Sequence, residues 1–184
     1  MGPTRQIPNP AGIEYGSIGT WLPDGKRFVV VGLKPPDPSR GYVIDVASGA
    51  GKPFGSAGVT WSLFTGPPVS PDGKYAVLQD VDGTPKRWPL DGGDPLPIPG
   101  LRPEDQPVMW TEDGAALFVS GSSIPIPITR LDLATGRRTP WTTIAPTDSA
   151  GLRYAIATIT PNGKYWSLSA AKLLTDLYVV DGLR

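Results

Sequence analysis

The sequence predicts an all-β fold built from four-stranded antiparallel blades, and three observations support this prediction. Gly and Pro number 23 each in 184 residues, and they separate short runs that contain Val, Ile, Tyr and Trp. One unit occurs four times: a strand, a Pro-Asp-Gly-Lys-like turn and a second strand. The turn acids of successive copies stand 48, 41 and 49 residues apart. These spacings are close to the period of a β-propeller blade, about 40–50 residues.

The turn in each copy is predicted to be structural. Pro fixes φ at the entry, Asp accepts backbone hydrogen bonds, and Gly takes the position with positive φ. The fourth copy has Asn in place of Asp, and the third reads Glu-Asp-Gly-Ala. A turn tolerates both changes, whereas a catalytic carboxylate cannot be replaced by Asn. A calcium loop would need alternating oxygen ligands, which no unit has. The predicted turn residues are Asp24, Gly25, Asp72, Gly73, Asp113, Gly114, Asn162 and Gly163.

Each unit continues with a third strand, a second Gly-containing turn and a short fourth strand. The third strands are predicted in the runs Y-V-I-D-V (42–46), R-W-P-L-D (87–91), T-R-L-D-L (129–133) and L-Y-V-V-D (177–181). Alternation with period two after the first turn predicts the inward-facing pairs Phe28/Val30, Ala76/Leu78, Leu117/Val119 and Trp166/Leu168. The bulky apolar residues three positions before the turn acids are predicted to pack against neighbouring blades: Trp21, Val69, Trp110 and Ile159.

The whole chain, residues 1–184, is predicted to form a single propeller domain. Its blades are expected at about 12–55, 56–99, 100–143 and 144–184. Residues 4–10 are similar to the fourth strands, so we expect them to form a strand that completes the last blade. Three arrangements agree with this pattern: a closed four-bladed ring, a partial propeller completed by dimerisation, or a partial propeller completed by a missing part of a larger protein.

Composition excludes several classes of function. Lys plus Arg and Asp plus Glu both number 17 without a basic block, so no nucleic-acid binding is predicted. The absence of Cys and His removes thiol nucleophiles, thiolate metal sites and the commonest general base. The sequence has no apolar run of transmembrane length, and its first ten residues have no apolar core, so we predict no signal peptide in this chain. We therefore predict no catalytic residue, no metal, no cofactor and no membrane insertion by this chain, and the compartment stays open.

Three longer runs resemble a known family. They are W-P-L-D-G-G-D-P-L-P-I-P-G-L (88–101), I-T-R-L-D-L-A-T-G-R-R (128–138) and T-D-L-Y-V-V-D-G-L-R (175–184). With the S-P-D-G-K turn at 70–74, they resemble the PD40, WD40-like repeats of bacterial TolB-type β-propellers. They are most similar to the C-terminal propeller blades of bacterial serine/threonine protein kinases and related regulatory proteins. The resemblance implies a non-catalytic binding or sensor module, and it supplies no catalytic residue. The kinase motifs H-R-D and D-F-G are absent from this chain.

Function in a propeller resides in loops on one face, so we expect a binding face where the repeats differ most. With the strands of a blade named A to D, the B–C loops are predicted at 33–40, 80–85, 120–127 and 170–175, and D–A connections at 56–66 and 144–151. The candidate residues for contact with a ligand or partner are Tyr15, Arg40, Trp61, Phe64, Gln106 and Tyr154.

The leading hypothesis is a non-catalytic module that binds a protein or small molecule of unknown identity, with homodimerisation possible. One alternative is the propeller gate or substrate-access domain of a hydrolase or peptidase, and another is a TolB-like scaffold. No G-x-S-x-G nucleophile turn is present. A glycosidase-like site would need loop acids to converge. The loop acids are Glu14, Asp37, Asp82, Glu104, Asp105 and Asp148.

Overall fold

The computed structural model describes residues 6–61 and 65–172, and the regular secondary structure of this part consists of β-strands. The strands pair antiparallel in four successive blades, which confirms the predicted all-β propeller architecture. No helix in these two ranges is long and apolar enough to cross a membrane. In chain order the strands are β1 (Glu14–Tyr15), β2 (Thr20–Trp21), β3 (Arg27–Lys34), β4 (Asp37–Asp45), β5 (Gly51–Phe54), β6 (Tyr75–Gln79), β7 (Pro85–Pro89), β8 (Gln106–Trp110), β9 (Ala116–Ser120), β10 (Ile126–Asp132), β11 (Arg138–Ile144), β12 (Leu152–Ile159) and β13 (Trp166–Lys172).

Blade 1 has all four strands in the order A, B, C, D. Strand A is split into β1 and β2, which both pair with β3, and β4 and β5 follow outward. The split coincides with Gly19, where a Cβ would stand 2.7 Å from the Phe28 ring. Residues 35–36 join β3 and β4 in a tight hairpin, so the predicted irregular loop over 33–40 is wrong. Both turn residues are proline, which fixes φ and ends the ladder there.

Blade 3 repeats this order as β8–β9–β10–β11, whereas blades 2 and 4 have shorter described sheets. In blade 2, β6 and β7 form the centre, and strands A and D are reduced to isolated bridges. Strand D pairs only at Leu96, which bridges Arg87 between Pro95 and Pro97. Proline donates no ladder hydrogen bond, which explains the reduction. In blade 4, β12 pairs with β13, and the third strand predicted at 177–181 lies outside the described residues.

The four A–B turns share one geometry. Their glycines Gly25, Gly73, Gly114 and Gly163 have φ values of 64°, 68°, 69° and 70°, a region that residues with a Cβ rarely adopt. In blades 2, 3 and 4, a hydroxyl two residues before the turn acid or amide donates to its side-chain oxygen at 2.6–2.7 Å. The same hydroxyl accepts the backbone N–H that opens strand B at 2.9–3.1 Å. Asn162 makes the same bonds as the acids, so the corner requires an oxygen acceptor and not a charge.

Corners of successive blades touch one another. A Cβ on Gly73 would stand 3.3 Å from Pro23 Cδ, which places the blade 2 corner against the blade 1 corner. At the other end of the array, the Glu112 N–H donates to the Pro161 carbonyl at 3.0 Å. The corners therefore form a continuous arc at one end of the molecule.

Three clusters of buried apolar side chains hold the blades together. The largest joins blades 1, 2 and 3 and includes Val31, Trp88 and Trp110; the second joins blades 3 and 4 around Phe118. Full burial of each such side chain contributes about 1.5–3 kcal/mol. Strand B lies between two neighbouring blades, so consecutive residues are buried on both faces, as over 76–78. The prediction of one inward-facing pair in each strand B therefore names too few of the buried residues.

Blade 1 presents an aromatic side that no described blade covers. Trp110, between blades 2 and 3, is 3 % exposed, whereas Trp21 at the equivalent position of blade 1 is 56 % exposed. The Trp21 and Tyr15 rings lie 6.1 and 6.2 Å from the Phe28 ring. In the described part of the chain Trp21 is therefore not buried between blades, which differs from the prediction.

The segment before blade 1 packs on that blade. Residues 6–10 contain no strand, which differs from the predicted strand over 4–10. Pro8 and Pro10 lack the N–H donors of a ladder. Ile7 packs against the third apolar cluster, on the same face of the blade 1 sheet as Phe28, and the Asn9 side chain exchanges two hydrogen bonds with the Ile13 backbone at 2.9 and 3.0 Å.

Candidate functional site

The inner strands of the four blades face a common channel. One end is a cavity of about 610 Å³, here called the loop-end cavity. The other end, among the A–B corners, is a cavity of about 490 Å³, here called the corner-end cavity. Thr20 and Met109 line both cavities, so the two cavities adjoin at these side chains, and together they are here called the channel. Each blade contributes to the loop-end cavity: Ile18 and Thr20, then Thr65 and Gly66, then residues 106–109, then residues 153–158.

Close backbone approach forms the wall between blades 1 and 2. A Cβ on Gly66 would clash with Thr20 Oγ1 and would stand 3.2 Å from the Gly19 carbonyl oxygen. Glycine at this position therefore allows the blade 2 connection to lie against the blade 1 inner strand. In blade 3, a register shift between Pro107 and Met109 makes the inner strand bulge at the channel. Such a bulge redirects side chains locally.

The loop-end cavity has apolar walls with a few polar groups. Its polar side chains include Gln106, Ser120, Ser122 and Thr158. The Thr158 hydroxyl lies 2.8 Å from the Ser167 hydroxyl, so it is already paired within blade 4. Arg153 is the one charged side chain among the described lining residues.

The corner-end cavity has the opposite charge character. Trp21 and Trp110 line it together with prolines of three corners. Glu112 is the one charged side chain among its described lining residues. Among the lining residues that the structure describes, the channel therefore carries one positive group at the loop end and one negative group at the corner end.

A buried ion pair fixes the connection that leads into the blade 3 inner strand. The Asp105 side chain is 4 % exposed and accepts from both terminal nitrogens of Arg138 at 2.5 and 2.9 Å. Asp105 Oδ2 also accepts the Arg102 N–H at 2.8 Å. The hydrogen bond to Asp105 raises the pKa of Arg138. Because Asp105 precedes Gln106, this pair sets where the inner strand enters the channel.

A second ion pair lies in the connection before the blade 4 inner strand. Lys172 donates to Asp148, which also accepts the Ala150 N–H at 2.9 Å. The bond from Lys172 is the main cause that lowers the pKa of Asp148. This acid is therefore occupied by a partner from β13.

The structure separates the residues predicted for a binding face. Gln106 and Tyr154 line the loop-end cavity. Tyr15 is exposed in β1 beside Phe28, and Arg40 lies in β4 and donates to the Gly55 carbonyl at 3.5 Å. Trp61 lies in the largest buried cluster, and its indole N–H has no partner in the described part of the chain. Phe64 lies outside the described residues.

Three of the loop acids are engaged with neighbouring groups. Asp105 and Asp148 are paired with bases, and Asp82 accepts the Thr84 N–H at 2.8 Å. Over residues 6–61 and 65–172, no group of three or more His, Cys, Asp or Glu side chains could hold a metal ion.

Sequence reasoning missed the inner-strand residues of the channel. Thr20, Met109 and Thr158 occupy the same position in three repeats, four residues before the turn acid or amide, and all line the loop-end cavity. Each stands next to the bulky apolar residue that was predicted as core. Neighbouring side chains in a strand point to opposite sides of the sheet. The residue directly before each predicted core residue could therefore have been predicted to face the channel.

The fold is similar to solved propeller structures, although the sequences are only distantly alike. TolB from Acinetobacter baumannii matches with a TM-score of 0.58 and 15 % identity, covering 85 % of this chain and 43 % of that chain. Putative TolB from Agrobacterium tumefaciens gives a TM-score of 0.52 and 17 % identity, covering 92 % and 64 %. An oligogalacturonate lyase in complex with manganese gives 0.51 and 15 %, covering 84 % and 52 %. No family model matches the sequence, and no curated protein sequence matches it.

These comparisons show a TolB-type β-propeller fold. The chain spans only about half the length of these structures. Its array of four blades therefore corresponds to part of each of those chains.

Proposed function

We propose that this chain is a non-catalytic binding module and that its ligand occupies the central channel. The observation that carries the proposal is the loop-end cavity, to which all four blades contribute side chains. A volume of about 610 Å³ lies within the range of about 300–1,000 Å³ that is usual for small-molecule sites. Apolar walls with a few polar groups are also typical of such sites.

The chemistry of the described lining residues supports binding more than catalysis. The loop-end cavity presents hydroxyls, an amide and a guanidinium, and its described lining contains no carboxylate. The chain has no histidine or cysteine. General acid–base or nucleophilic catalysis needs a group that exchanges a proton near neutral pH or an activated nucleophile. The carboxylates Asp105 and Asp148, in the connections before two inner strands, are held in ion pairs.

We also propose that the chain belongs to a larger bacterial regulatory protein, such as a serine/threonine kinase with a C-terminal sensor propeller. Support comes from the sequence runs at 88–101, 128–138 and 175–184, which resemble such blades. The full reading frame tests this proposal. A kinase domain upstream would support it, whereas a peptidase or hydrolase domain would favour a propeller gate.

Homodimerisation is proposed from the uncovered aromatic side of blade 1. Tyr15 and Trp21 are both exposed beside Phe28. Light scattering after size-exclusion chromatography should give a dimer mass that Trp21→Ser converts to a monomer. A concentration-independent monomer for the unaltered chain would rule out the dimer.

Methionine methyl groups give a direct test of channel binding. The chain has two methionines, Met1 and Met109, and Met109 lies where the two cavities meet. With ¹³C-methyl-methionine labelling, a ligand in the channel should shift the Met109 methyl signal. Met109→Leu assigns the signal. Compounds that bind by calorimetry but never move Met109 would place the binding site elsewhere and contradict the proposal.

A further inference from the structure

We propose that the channel ligand is a monocarboxylate with an apolar body, and that Arg153 binds its carboxylate. This inference rests on the proposed binding function and specifies the chemical class of the ligand. It is carried by the charges and partners of the side chains along the channel.

Arg153 is available to an incoming anion. It lies in β12 on the wall of the loop-end cavity and is exposed. Its side chain makes no hydrogen bond or ion pair with any residue of the described ranges. Two acids of the connections that lead into the inner strands of blades 3 and 4 are already engaged: Asp148 with Lys172, and Asp105 with Arg138. A guanidinium without a counterion beside an apolar cavity favours a carboxylate, which it can bind through two parallel hydrogen bonds.

The walls beyond Arg153 fit an apolar body. Val108, Met109, Ile124 and Ile156 line the same cavity. Burying an apolar chain or ring against such walls is favourable in proportion to the area removed from water. Methionine adapts its shape to irregular ligands, which suits Met109, a residue that lines both cavities.

The opposite end of the channel argues against a second acid on the ligand. Glu112 is the one charged side chain among the described lining residues of the corner-end cavity. A dicarboxylate long enough to reach this end would bring its second charge towards Glu112, and like charges at close range disfavour binding. The ligand is therefore expected to point its carboxylate to the loop end and its apolar end towards the corners.

The test compares a carboxylate with its neutral amide. The probes are 4-phenylbutyrate and 4-phenylbutanamide, titrated into the ¹³C-methyl-methionine-labelled chain. The Met109 methyl shift gives the dissociation constant, and calorimetry provides a second value. We expect the carboxylate to bind about 10- to 100-fold more tightly than the amide, the range for a hydrogen-bonded charge.

Three variants identify the group responsible. Arg153→Gln should weaken 4-phenylbutyrate about 10- to 100-fold and leave the amide unchanged. Arg153→Lys keeps the charge and should weaken the binding of 4-phenylbutyrate less than Arg153→Gln does. Arg137→Gln is the matched control, because Arg137 is exposed in the C–D turn of blade 3 and lines neither cavity. Unfolding curves for each variant verify that it is folded.

The outcomes separate this inference from the proposed function. Equal binding of the carboxylate and the amide, or an Arg153→Gln variant that binds 4-phenylbutyrate normally, overturns the carboxylate assignment. In both cases a moving Met109 signal leaves channel binding in place. If 4-phenylbutyrate does not shift Met109 while other compounds do, the inference is wrong and the binding function stands. If no compound shifts Met109, both are wrong.

Discussion

Replacing Thr111 by Val tests whether the repeated corner depends on its hydroxyl bonds. Thr111 is 6 % exposed, and its Oγ1 donates to Asp113 at 2.6 Å and accepts the Ala116 N–H at 3.0 Å. Valine keeps the shape but removes both bonds, and it leaves the fully buried Ala116 N–H without this acceptor. Each lost bond costs about 0.5–1.5 kcal/mol, and an orphaned buried donor about 1–3 kcal/mol. We expect the free energy of unfolding to fall by about 2–3 kcal/mol.

Blade 4 provides the matched control. Thr160 makes the same two bonds to Asn162 and Tyr165, at 2.7 and 3.1 Å, but its corner is exposed. Water can replace the hydroxyl there, so Thr160→Val should cost only about 0.5–1 kcal/mol. Urea unfolding followed by tryptophan fluorescence measures both values. Equal losses at the two corners, or a loss below about 0.5 kcal/mol for Thr111→Val, would refute the reasoning from burial.

Three further changes test other parts of the structure. The bond from the Ser70 hydroxyl holds the pKa of Asp72 below its usual value. The stability from this carboxylate is therefore complete above the unfolded pKa and lost as pH falls through the lower folded pKa. With Asp72→Asn, the free energy of unfolding should fall less steeply below about pH 4 than it does in the unaltered chain. The same pH dependence for both chains, measured by urea unfolding from pH 2 to 7, would contradict this. Arg138→Met leaves the Asp105 carboxylate buried without its partner and should cost about 2–4 kcal/mol in the same assay; a cost below about 1 kcal/mol would show that solvent reaches the acid. A methyl group at Gly66 would clash with Thr20, so Gly66→Ala should shift the Met109 methyl signal. Adding Thr20→Ala should restore the signal. No shift in the single variant would mean that the contact between blades 1 and 2 accommodates the methyl group without moving the channel.

Local turn chemistry made much of the fold predictable. The Asp-Gly corners at Asp72 and Asp113 can be recognised from about five consecutive residues. The hydroxyl, the acid and the glycine of each corner determine the conformation of the backbone directly beside them. The spacing of such corners then gave the blade period. Strands that contain proline were less predictable, because proline donates no backbone hydrogen bond to a neighbouring strand. The fourth strand of blade 2, for example, is reduced to a single bridge at Leu96.

The channel could not be predicted in the same way. Gln106 and Tyr154 were predicted and do line it, but Arg153 was missed, although it stands next to Tyr154. Which side chains share a cavity depends on how blades far apart in sequence are packed. Arg40 was predicted from a loop that is in fact a strand of a tight hairpin, and its place on a binding face stays a prediction.

The central claim, that one ligand occupies a cavity shared by several blades, is tested most directly by intermolecular nuclear Overhauser effects from bound 4-phenylbutyrate. The account predicts contacts from this single ligand to methyl groups of Thr20 in blade 1, Met109 in blade 3 and Thr158 in blade 4, since all three line the loop-end cavity. Contacts confined to one blade, or to residues outside the channel, would contradict it.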